Sequence, residues 1–184
     1  MTENRTRTRT VAWAALPALA LALTGCQMET PFAAEPQDRS VAALEELKAL
    51  PSLEDTKRAL WDAVNQISTE ASRIVPGAKW KDLNGGESDR CQVPYDQTGG
   101  KRHYFPNRVA ANVEVSEDQW ARVEAAAKRA AAGIGATARQ AMADAPGDHD
   151  VFFSGPAGLS INVGYQGNIA ISGYTGCRLP TVAK

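Results

Sequence analysis

Cys26 constrains this chain more than any other residue, because of what precedes it. Arg5, Arg7 and Arg9 lead into the apolar run Val11 to Leu23, which closes on Leu23-Thr24-Gly25-Cys26. A cationic start, a short apolar segment and small residues before a cysteine are the ordered parts of a signal peptide. The run falls short of the roughly twenty residues that a membrane-spanning helix needs. Leu23, Thr24 and Gly25 form a lipobox, in which the cysteine thiol takes a diacylglyceryl group and the chain is cut before it. Two acyl chains, such as palmitate, hold a protein on a bilayer stably where one is marginal. The partner expected here is thus the membrane, reached through diacylglycerol on Cys26 at the outer face of the cytoplasmic membrane. An ordinary secretory signal beside an unrelated cysteine is the alternative.

The lipid assignment also decides how the other cysteines read. The sequence has three, so use of Cys26 leaves Cys91 and Cys177, and an even remainder outside the cytoplasm reads as one disulfide. Closing so long a loop stabilises by about 4 to 5 kcal/mol as an upper estimate. A free thiol or a metal role is the alternative, but no further cysteine or nearby histidine completes a ligand set. Removal of residues 1–25 takes away three arginines and Glu3, leaving 17 basic and 20 acidic residues. That balance carries neither a nucleic-acid footprint nor a polybasic membrane patch. The expected organisation is a removed signal peptide over 1–25, a flexible tether over 26–39, and a single domain over 40–184.

Periodicity gives the elements of that domain. A short helix is expected over Val41 to Leu50, capped by Ser40 and ended by Pro51. Ser52 caps a longer helix whose Leu60, Val64, Ile67, Ala71 and Ile74 draw one apolar stripe up to Pro76-Gly77. Ala78 to Leu83 reads as a short strand, and residues 84–106, rich in Gly, Asp, Gln and Pro, as a long loop that holds Cys91. Val109 to Val115 alternates like a strand, with Val109, Ala111, Val113 and Val115 on its dry face. Ser116 and Gln119 supply a capping box for a helix with Trp120, Val123, Ala127, Ala130 and Ile134 inward. Thr137 to Met142 reads as a weak strand. Val151 to Ser154, Leu159 to Tyr165 and Asn168 to Tyr174 read as strands of two hairpins, with Gly155-Pro156-Ala157-Gly158 and Gln166-Gly167 as turns. The fold class is α+β: a mainly antiparallel sheet with two principal helices packed on one face, plus a short N-terminal helix, and a partly wet opposite face.

The lipobox, the helix running into Ile74-Val75-Pro76-Gly77-Ala78-Lys79-Trp80 and Cys91 in a polar loop resemble the LppA-type lipoprotein family of actinobacteria. Gly135-Ala136-Thr137 after a helix, the Asp150-Val151-Phe152-Phe153 strand, and Ile171-Ser172-Gly173 shortly before Cys177 look like the same family's closing pattern. The resemblance covers about Leu53 to Pro180. It implies an envelope lipoprotein with a disulfide and no established biochemical activity, and it transfers no catalytic residue.

Residue patterns suited to chemistry are few. The two histidines, His103 and His149, stand far apart. Asp148-His149-Asp150 gathers ligand-type side chains, but beside Pro146-Gly147 it reads as a solvated turn. Asp82, Asn84, Gly86, Glu87 and Asp89 suggest a calcium loop, yet the spacing fails that pattern, with Val93 where the closing acid belongs. Ser154 lacks a Gly-x-Ser-x-Gly setting, and Trp61, Trp80 and Trp120 read as core. Neither a catalytic residue, a metal ligand set nor a cofactor is expected. Two functions follow. The first is a binding or structural module that meets an envelope protein, lipid or glycan; the second is an envelope hydrolase using His149 with nearby carboxylates.

Overall fold

A computed structural model describes residues 36–183. Cys26 and the lipobox residues Leu23, Thr24 and Gly25 lie outside that range, as does most of the expected tether. Helix α1 spans Pro36–Ala49 and so begins inside the segment expected as tether, with Ser40 within the helix rather than capping it. The reason is local: proline suits the first turn, where its missing N–H would have no partner, and Asp38 meets the positive end of the helix dipole. Leu47 is its fully buried residue.

Helix α2, Leu53–Ile74, starts where Ser52 Oγ accepts the Asp55 N–H at 3.1 Å. All five residues of its expected stripe are buried. Helix α3, Glu117–Gly133, carries the full capping box, and Gln119 Nε2 also donates to the Ile74 carbonyl at 2.9 Å. The start of α3 is thereby fixed to the end of α2. Gly135, at φ +87°, lets the chain leave α3 in a conformation that other residues resist.

The sheet is antiparallel throughout and has eight strands: β1 Trp80–Asp82, β2 Glu87–Arg90, β3 Lys101–Tyr104, β4 Arg108–Ala110, β5 Ala138–Ala145, β6 Asp148–Ser154, β7 Leu159–Tyr165 and β8 Ile169–Thr175. Its main order is β1-β4-β8-β7-β6-β5. The outer edge of β8 is shared: β4 pairs with Ile169 to Ile171 and β3 with Tyr174, bridged by the Phe105 N–H on the Gly173 carbonyl at 2.9 Å. Strand β2 flanks β3 and β1 flanks β4. Helices α2 and α3 lie side by side on one face, α2 against β8 and α3 against β6 and β7. Val151, Phe153, Leu159, Ile161, Val163, Ile169 and Ile171 point into that layer and are buried. The architecture is the α+β arrangement expected from the patterning.

Further elements depart from expectation, β6 among them, which begins at Asp148 rather than Val151. Residues 84–106 are not a bare loop but contain the β2–β3 hairpin; β2 is exposed at every position, so no apolar alternation announced it. The strand expected over Val109 to Val115 stops at Ala110, because Asn112 turns into the left-handed region at φ +54°. Within that strand the faces are also exchanged, Arg108 and Ala110 being buried and Val109 half-buried. Strand β5 runs on to Ala145 through a bulge that leaves Met142 exposed.

Arg108 explains the exchanged faces. It is buried, forms a two-point contact with Asp82 through Nε (2.8 Å) and Nη2 (3.2 Å), and donates from Nη1 to Asn65 Oδ1 at 2.6 Å. Its guanidinium also lies 4.8 Å from the Trp61 ring, and Trp61 is consequently a rim residue, 38% exposed, rather than core. Truncation strands Asp82 and Asn65, so Arg108→Ala is expected to lower unfolding free energy by about 2 kcal/mol, read from urea midpoints at unchanged slope.

Candidate functional site

Alternation along the central strands sends every second side chain away from the helices. On that second face Asp150, Phe152, Asn162, Ser172 and Tyr174 remain partly or fully solvated, and register places Phe152, Asn162 and Ser172 in one row across β6, β7 and β8. Ser160 and Tyr174 form the next row, which continues to Tyr104 of β3. The Tyr104 and Tyr174 rings sit 5.0 Å apart. Aromatic rings on this face are thus flanked by amide, hydroxyl and carboxylate groups.

The loop after β2 gives the face a wall. Cys91 and Cys177 are joined in a disulfide with Cα atoms 5.5 Å apart, which holds the loop against the segment that follows β8. Leu47, Leu179 and the bridge form a small second core, with Tyr95 packed on it. Gly100 fits here because a Cβ would lie 2.6 Å from Cys177 Sγ. Between this loop and the sheet runs a concavity of about 340 Å³ bordered by Val93, Tyr95, Arg102, Phe152, Ser160 and Tyr174. A second, of about 300 Å³, continues past Arg102 and Tyr174 to the β2–β3 hairpin. The two share those residues and form one groove. Within it Asp89 accepts from Arg102 at 2.9 Å, and that bond holds its carboxyl below the ordinary range. Burial, then the hydrogen bond to Glu46, pushes the Tyr95 phenol up.

His149 is elsewhere. It lies on the helix side of β6, 5% exposed, not in a solvated turn. Its ring stacks on Trp120 with centroids 4.8 Å apart and planes 8° off parallel, and Nε2 meets Glu117 Oε2 at 3.1 Å. Asp144 stands 3.5 Å from Nδ1. This is an aromatic core position at the sheet margin with acids at its rim. Glu117 and Asp144 are thus the nearby carboxylates of the hydrolase reading, but the imidazole they flank is buried and stacked on Trp120 rather than open to a substrate, so the geometry lends that reading no support. Ser154 ends β6, away from it.

The remaining histidine, His103, faces Ser88 across the unanticipated hairpin, with Ser88 Oγ 2.9 Å from Nδ1. Among the described residues no carboxylate is hydrogen-bonded to His103, so the pair lacks the group that orients a catalytic imidazole. The suggested calcium ligands are separated and engaged: Asp82 with Arg108, Asn84 with the Asn107 N–H, Asp89 with Arg102. Trp80 and Trp120 pack on or within the core as expected.

Comparison with known proteins agrees with the patterning of this domain. A family profile described as LppA, a lipoprotein confined to pathogenic Mycobacterium, matches residues 28–181. The chain belongs to this family. Membership makes it a lipoprotein, associated with a membrane of the envelope through lipid. The crystal structure of LppA from Mycobacterium tuberculosis is similar in fold, with a TM-score of 0.60 and 15% identity over 80% of this chain and 89% of that chain. A DUF4853 family protein from Actinomyces odontolyticus gives a TM-score of 0.44 and 15% identity, over 83% and 72% of the respective chains. No curated protein matches the chain. None of these descriptions attaches an activity to the LppA family.

Two measurements bear on this region. Replacing Cys91 and Cys177 together by alanine is expected to lower stability by about 3 kcal/mol, measured against the oxidised wild type by urea denaturation. Burial first, then the charge of Lys57, holds His103 below its usual value of 6.5. The folded state therefore binds fewer protons than the unfolded one: its contribution is full above about pH 6.5 and is lost as pH falls through that value towards the lower folded pKa. His103→Gln should flatten this part of the profile of midpoint against pH.

Proposed function

We propose that the chain is cut before Cys26, carries diacylglycerol on that cysteine at the outer face of the cytoplasmic membrane, and displays its folded domain as a binding module of the envelope. The observation that carries the binding reading is the groove over the open sheet face. An antiparallel sheet needs cover on only one side, and here the other side holds Phe152, Tyr174 and Tyr104 beside Asn162, Ser172 and Arg102. Ring faces suit the apolar C–H faces of sugars, and the neighbouring amides and hydroxyls suit their hydroxyl groups. The occupant that matches best is an extended cell-wall glycan. A protein strand would find the central strands already paired on both sides, so it could use only side-chain contacts on this face.

The anchor and the binding reading separate experimentally. In membrane fractions of the native host, Cys26→Ser is expected to shift the protein to the soluble or secreted pool and to abolish incorporation of a palmitate analogue; retention with label would refute the anchor. For the groove, cosedimentation with isolated cell-wall sacculi should fall by about tenfold in affinity, or about 1.4 kcal/mol, in a Phe152→Ala/Tyr174→Ala variant. Equal sedimentation of variant and wild type would remove the glycan reading.

A further inference from the structure

Two arginines are buried in this domain, and only one has an anion. Arg108 has Asp82. Arg178, 2% exposed, forms no ion pair among the described residues. Its Nη1 donates to the Cys177 carbonyl at 2.6 Å and to the Pro156 carbonyl at 3.3 Å, Nη2 reaches the same Pro156 carbonyl at 3.3 Å, and Nε has no partner. Two neutral carbonyls do not neutralise a guanidinium that has been taken out of water. Glu46 acts on it only at a distance, its carboxylate being bonded to Tyr95. Desolvation accordingly pulls the Arg178 pKa down from the ordinary arginine range.

Arg178 lines a cavity of about 530 Å³, roomier than either part of the sheet-face groove and on the helix side of the fold. Pro51, Ala59, Ile134, Pro156 and Leu159 make most of its wall apolar, and Asp55 stands at its border, bonded to Ser52 and Arg58. The space lies between α2, the end of α3 and the turn before β7. Its volume is within the range of small-molecule sites.

We infer that this cavity binds a long-chain carboxylate, with the alkyl chain along the apolar wall and the carboxylate supplying the counter-charge that Arg178 lacks. Charge complementarity selects an anion, and the apolar wall selects a chain behind it. The head group is set by the guanidinium itself. Three of its five N–H groups go to carbonyls, with the Pro156 carbonyl shared by Nη1 and Nη2, so Nε–H and one Nη2–H are unspent; that pair matches one planar carboxylate. A doubly charged head would also meet Asp55. This site is independent of the sheet-face reading, because no residue lines both spaces; Cys177 of the groove only holds Arg178 through its carbonyl.

The test uses the chain from residue 26 onward with Cys26→Ser, which contains all the described residues and needs no detergent that would compete. Dodecanoate, dodecanol and dodecyl phosphate are titrated calorimetrically. Expected are saturable one-to-one binding of dodecanoate, binding of dodecanol and dodecyl phosphate weaker by about tenfold or more, and a rise in thermal midpoint with dodecanoate. Ala59→Trp, which fills the cavity from a half-buried position of α2, should abolish binding while leaving the ligand-free midpoint near wild type. Arg178→Met should bring dodecanoate down to the level of dodecanol; if that variant does not fold, the dodecanol and Ala59→Trp arms still decide. Absence of dodecanoate binding, equal affinity for dodecanol, tighter dodecyl phosphate, or binding unchanged by Ala59→Trp would each overturn the proposal.

Discussion

One-sided burial organises this domain. The apolar stripes of α2 and α3 close over a single face of β6, β7 and β8, and Leu60, Ile67, Val123, Ile161 and Ile171 are all without solvent exposure in that seam. Burial of such side chains contributes roughly 1.5 to 3 kcal/mol each, so the seam fixes the register of every central strand: a one-residue slip would move the apolar set to the wrong face. Because the seam takes both long helices, nothing of comparable apolar character remains for the second face. That face must then be solvated, and its exposure follows from the same packing that makes the domain stable.

The parts of the fold that were legible in the sequence are those in which burial has a period. The stripe of α2, the capping box at Ser116 and Gln119, and the alternation in β7 each write a side-chain direction into residue type, and the structure follows them. The β2–β3 hairpin was illegible for the complementary reason. Glu87 to Arg90 are exposed throughout, and what holds them is backbone pairing and the Asp89–Arg102 contact, neither of which leaves an apolar rhythm. Strand β4 was misread because a buried cation occupied a core-facing position: polarity put Arg108 outside the strand, whereas Asp82, Asn65 and the Trp61 ring satisfy it inside. His149 misled in the same way, since local acids and a preceding Pro-Gly made a core aromatic look like a turn residue. In each case a long-range partner decided the outcome.

The groove was legible only in outline. Alternating polar residues in β7 announced a wet face, but the row of rings from Tyr104 to Tyr174 depends on β3 pairing beside the end of β8, which no local pattern specifies. Nor does the sequence reveal that Arg102 and Tyr174 border both halves of the groove, since their strands are brought together by topology alone.

The disulfide ties this groove to the place where the chain enters the domain. Leu47 of α1 and Leu179 pack with Cys91 and Cys177, with Leu44 and Tyr95 alongside, and Tyr95 donates to Glu46 of α1 at 2.8 Å. Helix α1 is therefore clamped to the same loop that walls the groove, and the bridge clamps that loop to the segment after β8. Without the bridge, a polar loop carrying Val93 at 76% exposure has few apolar contacts of its own to oppose its conformational entropy. A covalent link placed here holds the wall and seats α1 at once.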